Sequence, residues 1–117
     1  MLPRKLRLQK NYQFKYIYSH GVSFYTKPVV LIKSKARPNS MRIGVSVSNK
    51  IGKAVFRNRV KRLLREAIRA HLGKIVRGYN YVFAASTKFD FTDVTYRAVH
   101  DAVGVLLNKS EKEPRKA

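Results

Sequence analysis

The chain has 117 residues, of which 26 are Lys or Arg and 6 are Asp or Glu, for a net charge of +20. At 44% hydrophobic it can build one core, and no apolar run approaches the ~20 residues of a membrane span. It has no cysteine, which excludes disulfide scaffolds and thiolate metal sites and points to a reducing compartment, the cytoplasm.

The opening segment, MLPRKLRLQK, is basic with no apolar stretch behind it, so no signal peptide is expected. One domain is expected over 1–117, with a basic lead-in at 1–10 and a polar tail from about 109 to 117. Asn11 can cap a short helix, YQFKYIYSH, closed by Gly21. In it Phe14, Ile17 and Tyr18 share one face, with Tyr12 and Tyr16 on the other. Val22 to Lys35 has the β-branched content of a strand, and ARPNS then supplies turn residues. Met41 to Ser48 alternates: Ile43, Val45 and Val47 point one way, and Arg42, Gly44, Ser46 and Ser48 the other. That second face is nearly free of bulk, so something large can lie close to it.

A helix follows from about Phe56 to Leu72, with Gly73 placed as its C′ residue. Tyr79 to Ser86 reads as a buried strand. TKFDFTD is a loop in which Thr92 or Asp93 is expected to cap a last helix. That helix is expected to end near Asn108, with Tyr96, Val99, Val103 and Leu106 on its core side. The order from the residues alone is helix, two strands, helix, strand, helix, an α+β sandwich.

The central helix carries the chemistry. Phe56, Val60, Leu63, Leu64, Ala67 and His71 fall on one side of it, and Asn58, Lys61, Arg62, Arg65 and Arg69 on the other. Arg59 lies between them and Arg57 flanks the first turn. A merely solvated face mixes signs, but here only Glu66 interrupts the cations, and Lys61, Arg65 and Arg69 form a like-charge ladder. A polyanion removes that penalty. Arginine forks suit bidentate phosphate contacts, and Lys50, Lys53 and the peptide groups around Gly52 extend the patch toward the helix N-terminus. Beyond Arg and Asn58 the helix has little to read base edges with, and no zinc finger or zipper surrounds it. RNA is therefore expected, not DNA or a membrane. Phe14 and Tyr18, four residues apart, read either as a base-stacking platform or as core.

No catalytic or metal site is expected. His20, His71 and His100 stand apart without ligand spacing. Of the acids, Glu111 and Glu113 fall in or beside the tail and Glu66 on the basic helix, while Asp90, Asp93 and Asp101 read as capping and solubilising residues. That argues against a self-sufficient metal-dependent nuclease, which needs converging carboxylates. A ribosomal or other structural RNA-binding protein is the alternative that composition permits.

The segment Ser46 to Arg69, SVSNKIGKAVFRNRVKRLLREAIR, resembles the signature of the protein subunit of bacterial ribonuclease P, centred on Arg57-Asn58-Arg59 with Lys61, Arg62 and Arg65. The preceding strand, Arg42 to Ser48, also matches, as do Phe14, Tyr18, His20 and Gly21 after a basic lead-in. The resemblance implies a two-layer α/β sandwich in the order αβββαβα, of the ribosomal protein S5 domain 2-like kind, with a left-handed βαβ crossover around the basic helix. Val22–Lys35 then supplies the extra strand or strand bend.

It further implies a non-catalytic subunit of a ribonucleoprotein that removes the 5′ leader from precursor tRNA. The chemistry would belong to the RNA subunit and its Mg²⁺, and the protein itself would bind no cofactor. Contact with ribonuclease P RNA is carried onto Lys50, Lys53, Arg57, Asn58, Arg59, Lys61, Arg62 and Arg65, and the same basic face brings in Arg69. Leader contact is carried onto Phe14, Tyr18, Val30, Ile32, Ser46 and Ser48. The sequence departs from the family pattern at Ile32, where an aromatic is common, at Asn49, where a basic residue is common, and over Thr26-Lys27-Pro28-Val29.

Overall fold

The structure, a computed structural model, describes residues 7, 8 and 10–112. Most of the lead-in and the end of the tail lie outside the described residues. The elements are α1 (Asn11–His20), β1 (Val22–Thr26), β2 (Val29–Lys35), β3 (Met41–Ser46), α2 (Ala54–Ala70), β4 (Tyr79–Ala85) and α3 (Tyr96–Lys112). This is the expected αβββαβα order. Short 3₁₀ turns at Asn49–Ile51 and Leu72–Lys74 flank α2.

The four strands form one mixed sheet in the order β1-β2-β4-β3. β1–β2 and β2–β4 pair antiparallel, while β3–β4 pair parallel from Met41↔Tyr79 to Ser46↔Ala84. Parallel neighbours need a crossover, and α2 supplies it. Val22–Lys35 is a hairpin, not one strand. Thr26 pairs with Val29 across a two-residue turn at Lys27–Pro28, whose peptide bond is cis. Pro28 has no N–H to give a ladder, so the turn sits where continuing the strand would lose a bond.

Period-two alternation sends the strand side chains to two different cores. Val29, Leu31, Ile43, Tyr81 and Phe83 meet Val60, Leu64, Ala67 and Ile68 of α2 and Val99, Val103, Leu106 and Leu107 of α3. On the opposite face Ile32 and Val82 pack against Ile17 of α1, with Leu8, Phe14 and Val30 around them. Gly21 permits that second contact. A Cβ there would stand 2.6 Å from Ile32 Cγ2 and 2.7 Å from the Ile17 carbonyl. Its backbone is extended, so close approach, not a left-handed turn, is what requires glycine.

Several boundaries differ from expectation. Lys10, not Asn11, is the N-cap of α1, with its N–H donating to Gln13 Oε1 at 3.1 Å. α2 begins two residues early and stops at Ala70. His71 is its C-cap, and Gly73 sits in the following 3₁₀ turn. Ile68, absent from the expected apolar face, is fully buried. Thr92 and Asp93 do not cap α3. Thr95 does, accepting from the Ala98 N–H at 3.2 Å, while Asp90 accepts from the Thr92 N–H and hydroxyl in the loop. Phe91 and Val94 are buried in the main core and pin that loop, which delays the helix start. Tyr96 therefore projects past the core, 40% exposed, and its hydroxyl donates to the Glu66 carbonyl. α3 also runs on to Lys112, into the segment read as a tail, and Ser110 in that extension is buried and donates to the Leu107 carbonyl.

Candidate nucleic-acid interface

α2 is amphipathic. It buries Val60, Leu64, Ala67 and Ile68, which leaves Asn58, Arg59, Arg62, Arg65 and Arg69 exposed and Lys61 at the margin. No acid occupies its first turn and no side chain caps it. The amide donors and positive dipole end are thus left for an anion, with Arg57 and Arg59 beside them. Lys50 and Lys53 are exposed on the approach to that end. Among the described residues none of the α2 arginines or Lys61 forms an ion pair. Each like-charge i, i+4 pair costs the isolated helix about 0.2–0.5 kcal/mol.

The connection into α2 is built, not slack. The Ser48 hydroxyl accepts from the Lys50 N–H at 3.2 Å and caps the Asn49–Ile51 turn. Gly52 follows at φ 154°, and Arg57 Nε donates to its carbonyl at 3.0 Å. Arg57 is therefore held against the chain entering its own helix. Asn58, Lys61, Arg62 and Arg65, with Glu66 at the edge, line a shallow concavity of about 350 Å³ on the exposed face.

A separate groove of about 430 Å³ runs between α1 and β3. Phe14, Lys15, Tyr18, Val45, Ser46, Val47 and Lys61 line it. Phe14 is half-buried, while Tyr18 is 47% exposed, and their ring centroids are 6.5 Å apart. The fold thus brings together Phe14, Tyr18 and Ser46 of the expected leader residues. It does not bring the other three. Ile32 is buried under Ile17, Val30 is half-buried in the same cluster, and Ser48 caps the turn before α2. Lys15 and Lys61 are groove residues that sequence reasoning missed in this role. Lys61 is shared, standing in both the groove and the basic face of α2.

A model of the family "Ribonuclease P" matches residues 2–111. The chain belongs to the ribonuclease P protein family. It is 42% identical over 105 residues to the ribonuclease P protein component of Clostridium botulinum strain 657, covering 89% of this chain and 93% of that one. It is 37% identical to the ribonuclease P protein component of Clostridioides difficile strain 630, covering 89% and 90%. The solved ribonuclease P protein from Thermotoga maritima superimposes with a TM-score of 0.78 at 30% identity, covering 88% of this chain and 96% of that one. That from Staphylococcus aureus does so with 0.78 at 28%, covering 91% and 95%.

This ribonuclease P protein is a subunit of a ribonucleoprotein endoribonuclease, and ribonuclease P RNA is its partner. Among the described residues no helix is long and apolar enough to cross a membrane, and no group of three His, Asp or Glu side chains is placed to hold a metal ion.

Proposed function

We propose that this ribonuclease P protein engages RNA on two adjoining surfaces and so assists removal of the 5′ leader from precursor tRNA. The exposed face of α2, with Lys50 and Lys53, holds the RNA subunit by its phosphates. The α1–β3 groove holds the single-stranded leader. There Tyr18 offers a stacking face, Ser46 a hydroxyl on an otherwise bare strand, and Lys15 and Lys61 charge for the backbone. Phe14 forms the inner wall, and Ile32 and Val30 support it from beneath. The observation that supports this reading is Lys61, which lines both the groove and the basic concavity of α2, so that the two surfaces adjoin.

The cleavage chemistry is assigned to the RNA subunit and its Mg²⁺, in the cytoplasm. The protein supplies binding, by neutralising phosphates that otherwise repel one another. The test is cleavage of a leader-bearing precursor tRNA at low Mg²⁺ by RNA alone, protein alone and both. Leader release only by the mixture is the expected result. In that mixture Tyr18→Ala should weaken precursor binding by about tenfold and leave mature tRNA binding unchanged. Equal loss for both substrates would remove the leader from the groove.

A further inference from the structure

A second groove, of about 670 Å³, lies on the other flank of α1. β3 passes beneath the helix, from Arg42 in this groove to Ser46 in the first, and Phe14 resting on Gly44 separates the two. The wall on the α1 side carries Tyr12 and Tyr16, which are 66% and 54% exposed. Facing them are Lys35, Arg37 and Arg42 from β2, the turn after it and β3. Among the described residues no carboxylate lines this groove.

Two exposed rings one helical turn apart, opposite three cations, combine the two components of sequence-tolerant single-strand binding: flat faces for bases and charges along the backbone. The Tyr16 ring is packed on one face. It stacks on His20 at 4.1 Å between centroids, and His20 Nδ1 hydrogen-bonds the Tyr16 carbonyl at 2.9 Å. A ring held in place loses less rotamer freedom when a base stacks on it. An acidic protein segment would meet the same cations but would leave both tyrosine faces uncovered. We infer that this groove is a second site for single-stranded RNA, with Tyr12 and Tyr16 stacking bases and Lys35, Arg37 and Arg42 holding phosphates. The site is distinct from the Tyr18 groove and does not depend on the role given to it.

The test uses the full chain and a short oligouridine carrying 4-thiouridine, at raised salt to weaken contacts made through phosphate alone. A duplex RNA of equal charge is the control. Tyr12→Ala and Tyr16→Ala should each weaken oligouridine binding by about tenfold and leave duplex binding unchanged. Tyr16→Phe, which keeps the ring, should bind as the parent does. Crosslinks on the parent protein should map to Tyr12 or Tyr16, and the Tyr16→Ala loss should persist in a Tyr18→Ala background. Equal losses for duplex and single strand would overturn the proposal. So would crosslinks confined to Tyr18 and α2, or a Tyr16→Ala effect that vanishes once Tyr18 is removed. Circular dichroism of each variant checks the fold, and the crosslink map needs no variant at all.

Discussion

The ring of Phe14 lies directly on Gly44, so close that a Cβ at that glycine would stand 2.7 Å from Phe14 Cε1 and 2.8 Å from Leu8 Cδ1. The helix crosses the strand where the strand has no side chain of its own, with the Phe14 ring filling the space, and both grooves beside α1 owe their walls to that approach. Gly44→Ala should therefore lift α1. Overpacking of this kind costs about 1–3 kcal/mol. The melting temperature is expected to fall by about 5 °C or more, and oligouridine binding to weaken while duplex binding persists. Calorimetry with parallel binding titrations checks both.

Phe14 and Tyr18 should part company in mutagenesis. Phe14 is half-buried in the α1–sheet cluster, so Phe14→Ala is expected to cost about 2–4 kcal/mol of stability as well as leader affinity. Tyr18 is exposed, and Tyr18→Ala should cost less than about 0.5 kcal/mol while affecting the leader. Urea unfolding of both variants would show it, and equal stability losses would contradict the placement.

Arg62 is exposed on the cationic face and unpaired among the described residues. Arg62→Ala should weaken association with ribonuclease P RNA and lower the salt slope of log Kd by about 1, the loss of one phosphate contact. A slope equal to the parent's takes Arg62 off the contact surface.

Gly52 precedes α2 at φ 154°, and a Cβ there would stand 2.9 Å from Phe56 Cδ2. Gly52→Ala is strained in the backbone and presses on Phe56, for an expected cost of about 1–3 kcal/mol. It also disturbs the carbonyl that anchors Arg57, so affinity for the RNA subunit should fall further than for a surface Lys→Ala change. Thermal melts and RNA titrations of the two variants separate the effects.

At +20, inorganic anions should stabilise the free protein. Sulfate or phosphate is expected to raise the melting temperature by about 5 °C at saturation, by filling phosphate sites and screening self-repulsion. Chloride at equal ionic strength should do less. A flat sulfate titration would show that the cations form no anion site.

The sequence by itself determined the charge, the amphipathic α2, its cationic face and the order of elements apart from the split of Val22–Lys35 into two strands, because each is a property of composition or of near neighbours along the chain. It also carried the family signature at Ser46–Arg69. Tertiary structure alone decided which apolar residues line a groove and which disappear beneath it. Tyr18 and Ile32 were both leader candidates in sequence, Ile32 as a departure from the aromatic common at its position. Only the approach of α1 to β2 at Gly21 buries Ile32 and leaves Tyr18 in the open. Lys15 and Lys61 share one groove, and Tyr16, Arg37 and Arg42 another, because the sheet and its parallel β3–β4 pair bring distant segments together. That pairing is non-local, and no periodicity along the chain encodes it. The hairpin at Lys27–Pro28 and the late start of α3 were hidden for a related reason. Pro28 is a local turn signal, but the β-branched residues on either side read as one strand, and it is pairing of Thr26 with Val29 that shows the chain folding back. Burial of Phe91 and Val94 in a core built from distant strands overrode the nearer caps.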